Sequence, residues 1–339
     1  MKRSEQRILG GLAVAVASLG LAACGSSEET DPAASPPTTT AVTPTTAAAD
    51  TSVSEPAATV DPGAQATQDL VAQGLATDAL RAAVQSGDEE AIEAAVDAAS
   101  RACPECPRPP HTHAIIAGGP GLVAVGAYDA LDDRADIWTS SDGQTWSRVR
   151  GDLGPGVIND VITAGPWLVA VGDGNAKGSR EAFWTSRDGL TWNRAPDDPV
   201  FNRTRMEAVT AGGPGLVAVG RHNRAWFSSD GLTWESASVP PVPPDVSAAG
   251  KGNRPAVFMT HVAEAGDRLV AVGWAMRNDD SRRGVVWTSA DGMTWIDVTD
   301  DLGFPSGGPT WSVRGGSDGF TINGVWTSAD GLQWRRVSG

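Results

Sequence analysis

Leu168-Val169-Ala170-Val171-Gly172 and, after a connector, Trp184-Thr185-Ser186-Arg187-Asp188-Gly189-Leu190-Thr191-Trp192 form the stretch that decides the fold. The first block is a short apolar run closed by glycine, the pattern of a strand buried on both faces. The second sets Asp-Gly between two tryptophans, which is turn chemistry flanked by strand formers. Both blocks recur. The first returns at Leu122–Gly126, Leu216–Gly220 and Leu269–Gly273, with a decayed copy at Phe320–Gly324. The second returns at Trp138–Trp146, Trp226–Trp234, Trp287–Trp295 and Trp326–Trp334, the last with Gln333 in place of Thr. Ten of the 13 tryptophans are these pairs, so the excess of Trp over the single Tyr128 is a product of the repeat.

The motif aspartates Asp142, Asp188, Asp230, Asp291 and Asp330 stand 46, 42, 61 and 39 residues apart. A period of roughly 40–50 residues built from short strands is that of four-stranded propeller blades. Each repeat divides accordingly. An apolar first strand such as Val161-Ile162-Thr163 leads through a Gly-rich turn, Gly118–Gly121 in the first repeat, to Leu-Val-Ala-Val. A connector of variable length reaches the third strand with its first Trp. Asp-Gly then closes a hairpin, expected to be type I′ with positive φ at both central residues, and the fourth strand opens at Thr-Trp. The expected fold is all-β, a propeller of five four-stranded blades over residues 111–339, with six blades as the alternative.

The residues before it have other characters. Lys2, Arg3 and Arg7 precede an apolar run from Ile8 to Ala23, too short for a spanning helix. It ends in Leu21-Ala22-Ala23-Cys24, which resembles a bacterial lipobox. The resemblance implies that residues 1–23 are a signal peptide and that Cys24 becomes a diacylated first residue, anchoring an extracytoplasmic protein to the membrane. Residues 24–66 are Thr/Pro/Ala-rich and read as a disordered tether. Residues 67–110 hold two short amphipathic helices with a break near Gly87. Ser86-Gly87-Asp88-Glu89 reads as a capping box with Ser86 as N-cap. The thin apolar stripe leaves these helices either packed on something else or marginal.

Cys103-Pro104-Glu105-Cys106 follows the helices. Outside the cytoplasm a local Cys103–Cys106 disulfide is the expectation. A four-ligand zinc site with His111 and His113 is the alternative. No organic cofactor is expected, and a divalent metal is the one candidate. The net charge of −15 excludes nucleic acid as a partner.

The Trp-bounded hairpins resemble the Asp-box (BNR) repeats of sialidases and related propellers, over residues 112–339. Here one residue is missing between Asp and Gly relative to the usual form. The resemblance implies structural boxes, with Asp and Ser or Thr bonding the turn backbone and Trp packed in the blade. It does not carry sialidase chemistry across, because the Arg-Ile-Pro motif is absent and Tyr128 lies in a connector.

Topology places the 1–2 turns and 3–4 hairpins on one face and the variable connectors on the other, where binding resides. Aligned on the end of the first strand, the repeats bring His113, Asp160, Glu207, His261 and Trp311 to the axial mouth of that face. Such a ring of side chains suits a polar ligand or a divalent metal. The expected function is therefore a membrane-anchored, non-catalytic module binding a glycan, peptide or protein in the cell envelope. The alternative is a glycoside hydrolase using loop carboxylates such as Asp132, Asp133, Asp279 and Asp280. A chaperone-like assembly factor is a third reading.

Overall fold

The computed structural model describes residues 77–103, 109–127, 134–174, 180–196, 198, 200–201, 204–243, 245–246, 255–299 and 312–337. All lie within one compact unit, Pro56–Gly339. The signal peptide, Cys24, the tether, Cys106, Tyr128, Asp132, Asp133 and Trp311 fall outside the described residues.

Five four-stranded antiparallel sheets follow one another, each a meander in chain order. Sheet 1 holds β1 (Thr112–Gly118), β2 (Gly121–Ala127), β3 (Ala135–Ser140) and β4 (Ser147–Arg148). Sheet 2 holds β5 (Val157–Ala164), β6 (Trp167–Asp173), β7 (Glu181–Ser186) and β8 (Trp192–Arg194). Sheet 3 holds β9 (Met206–Gly212), β10 (Gly215–Gly220), β11 (Arg224–Ser228) and β12 (Glu235–Ser236). Sheet 4 holds β13 (Val257–Ala265), β14 (Arg268–Met276), β15 (Arg282–Ser289) and β16 (Trp295–Asp297). Sheet 5 holds β17 (Val313–Gly316), β18 (Gly319–Ile322), β19 (Trp326–Ser328) and β20 (Arg335–Arg336). First strands of successive sheets lie against one another, β1 on β5, β5 on β9, β9 on β13 and β13 on β17. The arrangement is propeller-like.

The Leu-Val-Ala-Val strand explains the stacking, because successive side chains leave a strand on opposite faces. In sheet 2, Leu168 and Ala170 face back into a core with Val123, Val125 and Ile137 of sheet 1. Val169 and Val171 face forward into a core with Leu216 and Ala218 of sheet 3. Val217 and Val219 then meet Leu269 and Ala271, and Val270 and Val272 meet Phe320 and Ile322. In the decayed fifth copy the two forward valines are replaced by Thr321 and Asn323. That face meets no further sheet among the described residues.

In all five Asp-Gly loops the aspartate accepts the two amides that follow the glycine. In sheet 2, Ser186 and Trp192 are the last paired residues, leaving the loop Arg187 to Thr191. Asp188 Oδ1 accepts the Leu190 and Thr191 amides at 2.8 and 2.6 Å, and Ser186 Oγ accepts the Gly189 amide at 2.9 Å. Trp192 Nε1–H donates to the Gly189 carbonyl at 2.9 Å, as Trp295 does to Gly292 at 3.1 Å, while Trp146, Trp234 and Trp334 leave the indole N–H without a partner among the described residues. These donors, led by the Thr191 amide, hold the Asp188 carboxyl down at about 2. Gln333 replaces Thr at no cost to this scheme, because its backbone amide is the donor to Asp330. Only the glycine takes positive φ (70° at Gly189), so the expected type I′ turn is corrected to a five-residue loop.

Each loop glycine touches the preceding sheet. A Cβ on Gly189, Gly231, Gly292 or Gly331 would meet Val123, Val169, Val217 or Val270, the first valine of the preceding Leu-Val-Ala-Val. At Gly143, in sheet 1, the neighbour is Leu80 of the helical segment.

That segment is a hairpin of two helices, Asp78–Ser86 and Glu89–Ala102. Asp88, not Ser86, caps the second helix, its carboxylate accepting the Ala91 amide at 3.1 Å. Ser86 ends the first helix instead, its hydroxyl donating to the Ala83 carbonyl. Of the two fates open to the helices, packing is the observed one. Leu80, Val84, Ile92 and Val96 share a core with Ile115, Leu122 and Ala124, the back face of sheet 1, flanked by Trp138 and Trp146. At its other side the hairpin meets sheet 5 through ion pairs of Arg314 with Asp88 (3.8 Å) and Glu90. Among the described residues no helix is long and apolar enough to cross a membrane.

Leu80 is fully buried. Leu80→Ala is therefore expected to destabilise the fold by about 2–5 kcal/mol, read as a lowered urea midpoint. A change under about 0.5 kcal/mol would show that the hairpin is not part of the cooperative core.

Candidate functional site

The inner strands begin with a bulge. Thr112 pairs with Gly126 and Ala114 with Val125, leaving His113 as the extra residue. The same reading makes Asn159, Glu207 and Thr260 the extra residues of β5, β9 and β13. The expected equivalence of His113, Asp160, Glu207 and His261 is thereby corrected. His113 and Glu207 share one register position with Asn159 and Thr260. Asp160 and His261 sit one residue later, beside Ala114 and Ala208. The bulge lies five residues before the strand end in all four sheets; the offset arises because Gly118 and Gly212, which read as turn residues, are still paired in the strand, an extra position that sheets 2 and 4 lack.

Most of these side chains tie one inner strand to the next. His113 Nδ1–H donates to the Ile158 carbonyl at 2.8 Å. Asn159, in the same register, donates to the Met206 carbonyl at 2.6 Å. Asp160 Oδ2 accepts the Val209 amide at 2.8 Å. Glu207 pairs instead with Arg221. His261 Nδ1 lies 3.2 Å from the Thr260 hydroxyl.

A residue the sequence did not single out joins Asp160. Glu89, in the first turn of the second helix, has its carboxyl raised to about 8, first by burial and then by the charges of Asp160, Asp88 and Glu93. Burial likewise raises Asp160 to about 7, against the Val209 and Val161 amides that favour its charge. Water still reaches Glu89, an exposed residue at the helix end, which moderates the penalty. An acid in a first helical turn reads in sequence as a complement to the helix dipole. Only the tertiary placement reveals the repulsion.

The rim outside the bulges differs from sheet to sheet. The residue after each Leu-Val-Ala-Val-Gly block is Ala127, Asp173, Arg221 and Trp274 in sheets 1 to 4. Asp173 is buried and bound by Arg205 at 3.1 Å. Trp274 stacks on Phe258, centroids 4.0 Å apart. Trp274 is one of three tryptophans outside the motif pairs, a signal available in the sequence. Of the proposed loop carboxylates within the described residues, Asp279 accepts the Ser281 amide at 2.9 Å and its hydroxyl as well, a closed turn.

Cys103 is disulfide-bonded, so its sulfur is not a thiolate for zinc. Among the described residues no group of three or more His, Cys, Asp and Glu side chains gathers as a metal would need.

No protein-family profile and no curated protein matches the chain. Among solved structures it is similar to an ancestral GH74 enzyme, at 14% identity and TM-score 0.38, covering 61% of this chain and 32% of that one. It is also similar to a glycosyl hydrolase from Bacteroides ovatus, at 13% identity and TM-score 0.37, covering 63% and 79%. A third is an N-acetylgalactosamine deacetylase from F. plautii, at 17% identity and TM-score 0.35, covering 53% and 66%. The chain spans about a third of the GH74 enzyme's length. These TM-scores are low, and nothing in the site rests on them.

A carboxyl with a higher pKa folded than unfolded binds its proton more tightly in the native state. Its contribution to stability is therefore lost as pH rises from about 4.5 towards 8. Glu89→Gln is expected to raise the melting temperature near pH 8.5 and leave it unchanged near pH 4. Equal shifts at both would show that charge is not the cause.

Proposed function

We propose that the chain is a lipid-anchored, extracytoplasmic propeller of five blades that acts as a non-catalytic binding module for a glycan, peptide or protein. The helical hairpin is the element that completes the ring between sheets 5 and 1. In support, Leu80 takes the position against Gly143 that a valine of the preceding sheet takes elsewhere. Cys24 carries the anchor and residues 25–66 the tether. The Cys103–Cys106 disulfide ties down the end of the second helix.

One observation carries the binding reading. His113, Asn159 and Asp160 are spent on sheet-to-sheet hydrogen bonds and Glu207 on Arg221, while the connector-face rim presents a different chemistry on each sheet. A repeat that keeps its scaffold constant and varies one rim is arranged for recognition. The test is thermal shift of the full-length chain against a panel of glycans and envelope peptides, since ligands of the native state raise the melting temperature. His113→Ala/His261→Ala is expected to lower stability while leaving the ligand-induced shift intact. Loss of the shift at unchanged stability would return the site to the axial ring. Cys24→Ser is expected to move the protein from the membrane fraction to the soluble fraction. Retention in the membrane would overturn the anchor.

A glycoside hydrolase is the second reading, favoured by the raised carboxyls of Glu89 and Asp160 in one place. Turnover of glycosides abolished by Glu89→Gln would establish it. Absence of turnover on the glycans that bind leaves the non-catalytic module.

A further inference from the structure

Four side chains stack across the junction of sheets 3 and 4. Phe258 on β13 and Trp274 on β14 are cross-strand partners. Their rings lie nearly parallel, 17° apart in plane and 4.0 Å between centroids. The Arg221 guanidinium covers Phe258 at 5.3 Å, and the Arg282 guanidinium covers Trp274 at 4.4 Å. The order is Arg-Phe-Trp-Arg, half-buried in its aromatic middle.

The two guanidiniums differ. Arg221 is neutralised by Glu207. Arg282 is exposed and has no carboxylate partner among the described residues. The acids around it are engaged elsewhere. Asp279 holds Ser281, Asp245 pairs with Arg277 at 3.4 Å, and Asp297 pairs with Arg283 at 4.0 Å. The remaining acid of that turn, Asp280, is exposed. Stacking uses the face of a guanidinium and leaves its N–H donors free in the plane, where a carboxylate or phosphate accepts two at once. The indole and phenyl flanks beside it offer apolar surface to a sugar ring.

We propose that Phe258, Trp274 and Arg282 form a subsite for an anionic saccharide, Arg282 gripping the carboxylate or phosphate and the aromatic pair holding Arg282 in place and presenting its ring edges to the sugar. This rests on the connector face being the binding face. The net charge of −15 repels polyanions as a whole, so attraction to one has to be local.

The experiment is calorimetric titration of the full-length chain with oligogalacturonate, a phosphorylated mannan and neutral dextran. At least one anionic polymer is expected to bind, and which one identifies the anionic group. Arg282→Gln is expected to weaken that binding at least about tenfold with the melting temperature unchanged. Trp274→Leu weakens it as well, and Arg282→Lys restores it only in part. Anionic binding that survives Arg282→Gln overturns the subsite, as does failure of both anionic polymers to bind. Dextran binding indifferent to Arg282→Gln also overturns it, while leaving the general binding reading in place.

Discussion

The contact between the loop glycines of sheets 2 to 5 and the first valine of the preceding sheet is the constraint on which the rest of the structure depends. The φ of each glycine is positive, and at Gly292 and Gly331 a Cβ would come within 2.6 and 2.8 Å of that valine. The glycine holds that conformation because the neighbouring aspartate clamps the two following amides. A local hydrogen-bond scheme therefore sets a long-range distance. Once one loop is fixed, the next sheet is placed, and the same sequence repeated places the next.

The ends of the series show what happens where the rule has no partner. The forward face of sheet 5 carries Thr321 and Asn323 in place of valines, although the sheet leaves Val325 and Val337 exposed. The back face of sheet 1 still carries Leu122 and Ala124 and is covered by the helical hairpin. The two sides of the hairpin are thus held by different forces. Toward sheet 1 it buries aliphatic side chains, worth about 1.5–3 kcal/mol for each one fully buried. Toward sheet 5 it makes ion pairs through a half-exposed Arg314, which are worth about 0–1 kcal/mol. The hairpin belongs energetically to sheet 1, and the junction with sheet 5 is the weaker seam.

Much of this was legible in the residues. The second strands, the loops and the five sheets follow from two short blocks whose periodicity is that of buried strands. Even the decay of the fifth copy has a structural sense, since Thr and Asn stand where burial ends. The inner strands were less legible. Gly118 reads as part of the turn yet pairs with Gly121 in the strand, while sheet 2 has one glycine fewer, so His113 and Asp160 could be set in one register although they occupy two. The helix start was misplaced by two residues for a related reason. Ser86 and Asp88 are both good caps, and the choice falls on whichever one leaves Gly87 free to take the left-handed turn between the helices. Phe258 and Trp274 are near in space but far in sequence, and only strand pairing brings them together.

The axial polar residues and the rim residues answer to different demands. An inner strand packed between two others has backbone groups to satisfy on its neighbours' edges, and a short polar side chain at the bulge or just after it does so: His113 on Ile158, Asn159 on Met206, Asp160 on Val209. The three use different chemistry to the same end, two donating and one accepting, so variation of residue type at the axis is no sign of a ligand. At the rim the variation has another character. Asp173, Arg221 and Trp274 follow the same glycine in consecutive sheets, yet they differ in charge, hydrogen bonding and ring content. No single backbone group could be served by all three. What differs along the rim is the surface offered to the outside, and that is where selectivity on a repeated scaffold has room to arise.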